Sequence, residues 1–384
     1  MVVAAALGIG PAAPAYAQFG LLPYYVKSAT AIDVQMATVQ ESEALDINND
    51  GDIVGWAVNT AGVTRAFLYA YSFMWDIGPS DPNAPSIATG VNNFREVVGY
   101  YVPEGLGRPF YWHSSTGPVE MSHILFPGQG WDDQYIVTPN AINDGGRIVG
   151  RADGLYLPPY TSNPPFDGCH EYLSVIWNDR FAIPQRLFCN PGVWVNLGAM
   201  DVNNSGEVAG YSQDNGYLGY VWKDGDKIAV PPLAGGIDVI VEGINESGMV
   251  VGSDGGRHAL FWNRVSKNSM DLGYLLGGNR AQAKEINDSN FIGGLSNTLP
   301  VEEGTGYWNR ARAFIWHGDF GMFGLPVPPN FPATTNCVAN TVNNRVAASG
   351  LVQLAGYCTK NGKKRAVRWD VIVARGYVVG PVGP

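Results

Sequence analysis

Charged residues are scarce in this chain, and the classes of protein that depend on them do not fit its composition. Of 384 residues only 15% are charged, 12% are aromatic, and the formal net charge is −10. A nucleic-acid or anionic-membrane partner requires a broad basic surface, and the few cations form no broad stripe. Disordered chains carry more charge and fewer aromatic residues, so we expect a folded protein.

Long apolar runs and helical periodicity are also missing. No segment after the first 17 residues has 18 uninterrupted apolar residues, so no transmembrane span is expected. A 3.6-residue period never persists beyond one turn, which argues against helices. Glycine (49) and proline (26) are abundant, without the three-residue period of collagen. These features indicate a turn-rich β-protein.

Residues 1–17 resemble an export signal. They are uncharged and apolar, and Ala15-Tyr16-Ala17 fits the A-x-A cleavage rule, which makes Gln18 the first mature residue. A buried N-terminal helix is the alternative, and the glycines and prolines of this segment disfavour it. The sequence therefore predicts a secreted, periplasmic or cell-surface protein.

Cysteine is rare, but the number of cysteines is even. The sequence separations within successive pairs are 20 and 21 residues for Cys169, Cys189, Cys337 and Cys358. Local pairing is the simplest of three possible connectivities, and each loop of about 20 residues would contribute roughly 3 kcal/mol. Free buried thiols are one alternative. A four-cysteine zinc site is another, although the close C-x2-C pairs of such sites are absent.

Self-comparison shows one unit repeated seven times. Its first block, ALDINNDGDIVGW at 44–56, recurs near 88, 139, 199, 241, 283 and 339. The aligned asparagines, spaced by 42 to 60 residues, are Asn48, Asn92, Asn143, Asn203, Asn245, Asn287 and Asn343. A second block such as HALFW (258–262) follows each first block. It ends in tryptophan in six units, at Trp112, Trp177, Trp222, Trp262, Trp316 and Trp369.

Each unit has the pattern of four short strands separated by turns of Asn, Asp, Ser and Gly. Seven such units predict an all-β, seven-bladed β-propeller in one domain, 18–384, with the tryptophans packed between blades. The segment 24–34 precedes the first unit, and we expect it to close the ring beside 365–379. An open β-solenoid and two smaller β-domains are the alternatives.

The two blocks resemble the HAF family of probable extracellular repeats, which are secreted bacterial proteins. The fifth unit is the most similar, with Ile244-Asn245, Val250-Val251-Gly252 and the HALFW block. The resemblance covers about 44–370. It implies export and a repeated β-architecture, and it brings no established activity or catalytic residue.

The first turn has the opening pattern of a calcium loop, at Asp46, Asn48, Asp50 and Asp52. Ala57 occupies the position at which such a loop places its bidentate glutamate, so calcium is a possible cofactor rather than a required one. For the repeat asparagines, turn capping is favoured over a ring of ligands.

Units three, six and seven are longer between the asparagine and the aromatic residue, which predicts insertions between their second and third strands. Such loops lie on one face of a propeller, and loops on a rigid scaffold often bind ligands. The candidate ligand-binding aromatic residues are Tyr156, Tyr160, Phe166, Tyr172, Tyr307 and Trp308. The alternative is that these side chains pack their own loops.

Recognisable catalytic motifs are absent from the sequence. It contains no H-E-x-x-H, no G-x-S-x-G and no phosphate-binding loop. His258 is more consistent with a structural role, and the acidic pairs at 132–133 and 302–303 with solvated loops. The basic run at 360–368 fits a solvated edge hairpin better than an anion-binding patch.

The sequence thus favours an exported, non-enzymatic binding or scaffold module for an extracellular glycan or protein, with no nucleic-acid partner. An extracellular propeller enzyme acting on polysaccharide is the first alternative. A calcium-stabilised surface adhesion protein is the second.

Overall fold

The structure, a computed structural model, describes residues 24–32, 41–105, 107–123, 135–154, 172–187, 197–213, 216–299, 310–344 and 350–373. These residues form seven four-stranded antiparallel sheets and contain no α-helix. The sheets are the blades of a β-propeller, which confirms the predicted fold.

The blades are numbered in the order of the repeats, and each runs from its innermost to its outermost strand. The first strand of the chain, β1 (Tyr24–Ala31), precedes blade 1. Blade 1 contains β2 (Ser42–Ile47), β3 (Ile53–Val58), β4 (Thr64–Ala70) and β5 (Phe73–Asp76). Blade 2 contains β6 (Ser86–Val91), β7 (Val97–Tyr101), β8 (Arg108–His113) and β9 (Gly117–Glu120). Blade 3 contains β10 (Tyr135–Ile142), β11 (Ile148–Gly154), β12 (Tyr172–Trp177) and β13 (Gln185–Arg186).

Blades 4 to 6 repeat this arrangement, and blade 7 combines three late strands with β1. Blade 4 contains β14 (Leu197–Val202), β15 (Val208–Gln213), β16 (Tyr217–Lys223) and β17 (Asp226–Val230), and blade 5 contains β18 (Val239–Ile244), β19 (Val250–Asp254), β20 (His258–Asn263) and β21 (Asn268–Asp271). Blade 6 contains β22 (Ala281–Ile286), β23 (Ile292–Asn297), β24 (Ala311–His317) and β25 (Gly321–Gly324). The late strands of blade 7 are β26 (Cys337–Val342), β27 (Leu351–Lys360) and β28 (Lys363–Val373).

The ring closes as the sequence predicts. β1 pairs antiparallel with β28, from Tyr24 opposite Val373 to Ala31 opposite Val367, and becomes the outermost strand of blade 7. The innermost strands contact one another around the ring, including β26 with β2. The first and last parts of the described chain are therefore held in one sheet.

The insertion predicted between the second and third strands of the seventh unit is not found there. These two strands, β27 and β28, are joined only by Asn361 and Gly362, so no insertion lies between them. The extra residues instead precede β27 and lengthen both strands, to 10 and 11 residues. The misalignment arose because Gly350 resembles the repeat glycine, whereas Gly356 occupies that place opposite β26.

A β-bulge occurs at the same place in every blade. The register of each innermost strand shifts just before the repeat asparagine, as between Val241 and Gly243. The bulge brings the innermost strand close to the glycine of the Val-Val-Gly motif. A Cβ on Gly252 would lie 2.0 Å from the Ile240 carbonyl oxygen, and the six equivalent glycines are as crowded, at 2.0 to 2.2 Å. This close approach explains why the motif ends in glycine.

The core consists of clusters between neighbouring blades rather than within one blade. Trp369 packs with Phe291 and Leu325 of blade 6, and Trp177 packs with Val98 and Tyr111 of blade 2. The tryptophans of blades 2, 4, 5 and 6 likewise join clusters shared with the preceding blade. Each sheet thus buries a face that it could not bury alone.

The repeat asparagines form a closed ring of hydrogen bonds. Each side-chain amide donates to the carbonyl oxygen of the asparagine in the next blade, at 2.9 to 3.4 Å, and Asn343 donates back to Asn48. The side-chain oxygen meanwhile accepts turn amides within its own blade, as Asn287 does from Ser289 and Phe291. Turn capping is therefore only half of what these residues do.

A second ring lies one residue further along. The backbone amide of each following residue donates to a side-chain oxygen of its counterpart in the next blade, at 2.7 to 2.9 Å. Its members are Asn49, Asn93, Asp144, Asn204, Glu246, Asp288 and Asn344. This ring surrounds one end of the propeller axis and carries three carboxylates.

One predicted disulfide is confirmed. Cys337 and Cys358 lie opposite each other on β26 and β27 and are bonded, with a Cα–Cα distance of 4.1 Å. Cys169 and Cys189 lie outside the described residues, as does the predicted signal 1–17, and their pairing stays a prediction. In the described ranges, no helix has the length and apolar character needed to span a membrane. A disulfide is typical of proteins from oxidising compartments.

Candidate functional site

The repeat architecture gives the propeller two different faces. The turns that begin at the repeat asparagines lie on what we call the lower face. The second strands end and the third strands begin on the opposite, upper face. The seven innermost strands surround the central channel that joins the two faces.

Three carboxylates face the channel from different blades. Asp46, Asp201 and Glu285 each lie two residues before a repeat asparagine, in blades 1, 4 and 6. All three occupy the same repeat position on innermost strands, and burial, followed by repulsion from Asp201, raises the pKa of both Asp46 and Glu285. Each is only partly exposed to solvent.

Backbone amides hold these carboxylates in place. Asp46 accepts hydrogen bonds from the Ile47 amide and, across the blade boundary, from the Val91 amide, at 2.7 and 2.8 Å. Asp201 accepts from Val202 and Ile244 in the same way, at 2.7 and 2.9 Å. These two aspartates therefore bridge blades, whereas Glu285 accepts from its neighbour Ile286 at 2.7 Å.

Burial shifts the acidity of all three groups. It raises the pKa of Asp46 to about 7 and that of Asp201 to about 6, against the lowering effect of the backbone hydrogen bonds. Burial, followed by repulsion from Asp201, raises the pKa of Glu285 well above its ordinary value. A low-dielectric channel that holds three acids thus favours their protonated forms.

Stability should therefore fall as the pH rises from about 4 to 7. An acid whose pKa is higher in the folded than in the unfolded chain stabilises the fold fully only below its unfolded pKa, about 4, and this stabilisation is lost as pH passes its folded pKa. Glu285→Gln removes one charge and keeps an acceptor for Ile286. We expect it to raise the free energy of unfolding at pH 8 by at least about 1 kcal/mol and to leave it nearly unchanged at pH 4.

Urea unfolding at pH 4, 6 and 8 measures this effect. Asp50→Asn, at an exposed position of the first turn, is the control that should keep the wild-type profile. Equal effects of Glu285→Gln at pH 4 and pH 8 would contradict a raised pKa of Glu285 in the folded protein.

Aromatic side chains lie at the upper ends of second strands, beside the upper mouth of the channel. The residue after the Val-Val-Gly motif is partly exposed and aromatic in four blades, at Trp56, Tyr100, Tyr211 and Tyr357. Burial raises the pKa of the three tyrosine hydroxyls, which therefore stay neutral hydrogen-bonding groups at physiological pH. Arg151, the equivalent residue of blade 3, acts electrostatically on both Tyr100 and Tyr211.

Ion pairs complete this mouth. The bulged residues Glu242 and Lys284 join blades 5 and 6 at 2.7 Å, while Glu43 and Lys364 join blades 1 and 7 at 2.6 Å. Arg151 pairs with Asp153 at 3.2 Å. Lys364 also stacks over the Tyr357 ring at 4.3 Å. We call the aromatic residues and these ion pairs the upper cup.

The predicted ligand-binding residues lie near this cup in sequence but mostly outside the described residues. Tyr156, Tyr160, Phe166, Tyr307 and Trp308 are among the undescribed ones, and only the backbone of Tyr172 is described, in β12. The described strand ends that flank these two segments, at Gly154 and Tyr172 and at Asn297 and Ala311, lie on the upper face.

The four predicted calcium ligands have separate partners in the fold. Asp46 faces the channel, Asn48 joins the asparagine ring, and Asp52 pairs with Arg95 at 2.7 Å and with Asn48 at 3.1 Å. Asp50 is exposed on the lower face. In the described part of the chain, no cluster of three or more His, Cys, Asp or Glu residues is positioned for a metal ion. Calcium at this turn stays a prediction, which melting with and without a chelator tests.

Sequence reasoning named Asp46 only as a candidate calcium ligand and missed Asp201, Glu285 and the cup, although the repeats contained a signal for all of them. The position after the invariant glycine varies between Trp, Tyr, Arg, Ser and Leu, and the position two before the asparagine varies between acids and small residues. The architecture fixes the residue type at the regular positions of a repeat, so the variable positions are the ones free to serve a function.

Comparison with known proteins supports the fold and no family. No protein-family description matches the chain, and no curated protein matches it. The structure is similar to that of an oligogalacturonate lyase from Vibrio parahaemolyticus, with a TM-score of 0.54, 9% identity, and coverage of 92% of this chain and 97% of that one. Virginiamycin B lyase from Staphylococcus aureus has a TM-score of 0.50 and 8% identity, with 91% and 100% covered. The structure of YCF48 bound to D1 peptide has a TM-score of 0.51 and 12% identity, and the match covers 93% of this chain and 98% of that one. At such identities the likeness concerns the fold alone.

Proposed function

We propose that this protein is an exported β-propeller that binds a neutral extracellular glycan in the upper cup. The observation that carries the proposal is the set of four aromatic residues and three ion pairs near one mouth of the channel. The apparent signal at 1–17 and the disulfide Cys337–Cys358 support export.

The chemistry of the cup suits a sugar. Sugar rings have apolar faces that stack on aromatic side chains and hydroxyl edges that hydrogen-bond, and charged partners strengthen such hydrogen bonds. The cup offers both kinds of contact side by side, as with Lys364 beside Tyr357. Its cations Arg151, Lys284 and Lys364 are each paired with a carboxylate, so the cup has no excess charge to select a charged ligand.

Trp56→Ala and Tyr211→Ala should each weaken glycan binding at least about tenfold, because each removes a stacking surface whose burial is worth more than 1 kcal/mol. Neutral and acidic oligosaccharides on a glycan array identify the ligand, and titration calorimetry measures its affinity. Trp75→Ala, an exposed tryptophan on β5, is the matched control and should bind normally. Absence of any neutral glycan ligand, or unchanged affinity in both cup variants, overturns the proposal.

A second candidate is an enzyme that cleaves the bound glycan. The three acids beneath the cup favour it, because a carboxyl group with a raised pKa can act as a general acid near neutral pH. Asp46 and Asp201 each accept from two backbone amides, whereas Glu285 accepts from one, which makes Glu285 the best candidate. Release of new reducing ends from the glycan that binds, lost in Glu285→Gln, would support this activity.

A further inference from the structure

Exposed aromatic side chains are concentrated on the lower part of blades 1 to 3. In the described residues, seven large aromatic side chains are well exposed, and five of them lie here. These are Tyr71 (76%), Phe73 (64%), Trp75 (55%), Phe94 (64%) and Phe181 (79%). A soluble fold gains nothing from exposing such side chains, so their clustering indicates an interaction surface.

The five side chains belong to one continuous surface. Phe73 and Trp75 are neighbours on β5, with ring centroids 6.2 Å apart. Arg95 of blade 2 reaches back to blade 1, where its guanidinium stacks over Tyr71 at 4.9 Å and donates to the Tyr71 hydroxyl at 3.1 Å.

A groove extends this surface into blade 3. Phe94 and Phe181 line the groove, which has a volume of about 410 Å³. Arg180 lies between the rings of Tyr111 and Phe181, at 4.5 and 4.6 Å. We call this surface, with its groove, the aromatic surface.

The backbone of the aromatic surface departs from the repeat in a way that favours function over stability. Arg95 has a φ of 61° where four other blades place glycine. Tyr71 and Ser72 have φ of 52° and 67° in the hairpin turn between the third and fourth strands, where blade 4 uses Asp224-Gly225. Left-handed backbone costs an L-residue with a side chain roughly 1–2 kcal/mol. Other blades place residues with a lower conformational cost in these turns, so the fold does not require Tyr71, Ser72 and Arg95.

The charge of the groove defines what could occupy it. Among the described residues, three carboxylates line it, from Glu96, Asp144 and Asp179, against one cation, Arg180. Glu246 and Asp288 continue the acidic character along the lower-face ring. Asp52 neutralises the other cation of the surface, Arg95. The occupant should therefore combine positive charge with apolar side chains.

We propose that the aromatic surface docks a polypeptide segment that carries lysine or arginine next to aliphatic or aromatic residues. The apolar side chains of the segment would bury against Phe94 and Phe181, and its cations would face the groove carboxylates. An anionic membrane or a nucleic acid would meet the same carboxylates and be repelled. This surface faces away from the upper cup, and the inference is independent of glycan binding.

Selection from a phage library of random 12-residue peptides on the immobilised full chain tests the proposal. Counter-selection uses the double variant Phe94→Ser and Phe181→Ser. Serine occupies the Phe94 position in blades 4, 5 and 6, so the fold accommodates it. Val265→Ser, at a side chain 79% exposed in blade 5, is the matched control.

We expect enriched peptides to be basic and apolar, to bind wild type and Val265→Ser equally, and to bind the double variant at least tenfold more weakly. Tyr71→Asn with Ser72→Gly should also weaken binding while maintaining or raising the melting midpoint, because it restores a favourable hairpin turn. Failure of any peptide to distinguish wild type from the double variant overturns the proposal, as does enrichment of acidic or uncharged peptides. Phe94-dependent sedimentation with phosphatidylcholine vesicles would overturn it in favour of a lipid surface.

Discussion

Gly252→Ala should destabilise the protein by about 3–5 kcal/mol, a large part of the 5–15 kcal/mol typical of a folded protein. The added Cβ would lie 2.0 Å from the carbonyl oxygen of Ile240 and 3.0 Å from its carbonyl carbon. Both atoms belong to backbone, so no side chain can rotate away. Relief requires the bulged strand β18 to move off β19, which would disturb the innermost strand of blade 5 and its contacts with both neighbours.

Gly324→Ala is the matched control for this substitution. Gly324 lies on the outermost strand β25, and its new Cβ would meet only the flexible end of Leu275, at 3.3 Å. We expect a change of less than about 0.5 kcal/mol there. Neither glycine requires a left-handed φ, so the comparison measures the effect of steric crowding alone, without a contribution from backbone strain. Equal urea midpoints for the two variants would mean that the close approach at the bulge does not constrain the sequence.

The repeat made the architecture predictable, because a propeller reveals itself through periodic copies of one supersecondary unit. The Asn turn, the Val-Val-Gly strand and the aromatic strand each recur in order, and strand number and ring closure follow from counting them. The closing strand could be predicted because 24–34 had no partner within its own unit. Where the repeat decays, at Asn343, the prediction failed, since Gly350 and Gly356 are equivalent by pattern and only strand pairing separates them.

The candidate site was much less predictable, since its residues come together only around the ring. Glu242 and Lys284 are 42 positions apart, and Glu43 and Lys364 are 321 apart, yet each pair forms an ion pair. Neither pair can be found without knowing which strands of adjacent blades meet near the upper end of the channel. The sequence instead drew attention to loop aromatic residues and to an acidic turn, features that are recognisable within one segment.

The two inferred surfaces occur on opposite faces for a structural reason. Antiparallel blades place the repeat turns together on the lower face and the second-to-third connections together on the upper face. Substitutions at the variable repeat positions then accumulate on one face or the other without disturbing the cores between blades. The upper cup uses the residues after the Val-Val-Gly glycine, whereas the aromatic surface uses turn residues such as Phe94 and Arg95.

Asn287→Leu should cost about 3–5 kcal/mol, because it removes three hydrogen bonds from a side chain that is 1% exposed. The asparagine donates to the Asn343 carbonyl at 2.9 Å and accepts the Ser289 and Phe291 amides at 3.0 and 2.9 Å. Leucine leaves these buried groups unsatisfied. Urea unfolding measures the loss, and Asn83→Leu at an exposed loop position should change stability by less than about 0.5 kcal/mol.

Asn287→Asp separates turn capping from the link between blades. Aspartate keeps an oxygen that can accept both turn amides, but it places a second oxygen against the Asn343 carbonyl in place of the donor. If the ring of asparagines holds neighbouring blades together, this variant should lose at least about 1 kcal/mol at neutral pH and recover part of it when the carboxyl group is protonated. If capping alone matters, Asn287→Asp should equal wild type while Asn287→Leu does not. The first outcome would show that one repeated residue both shapes each blade and joins it to the next.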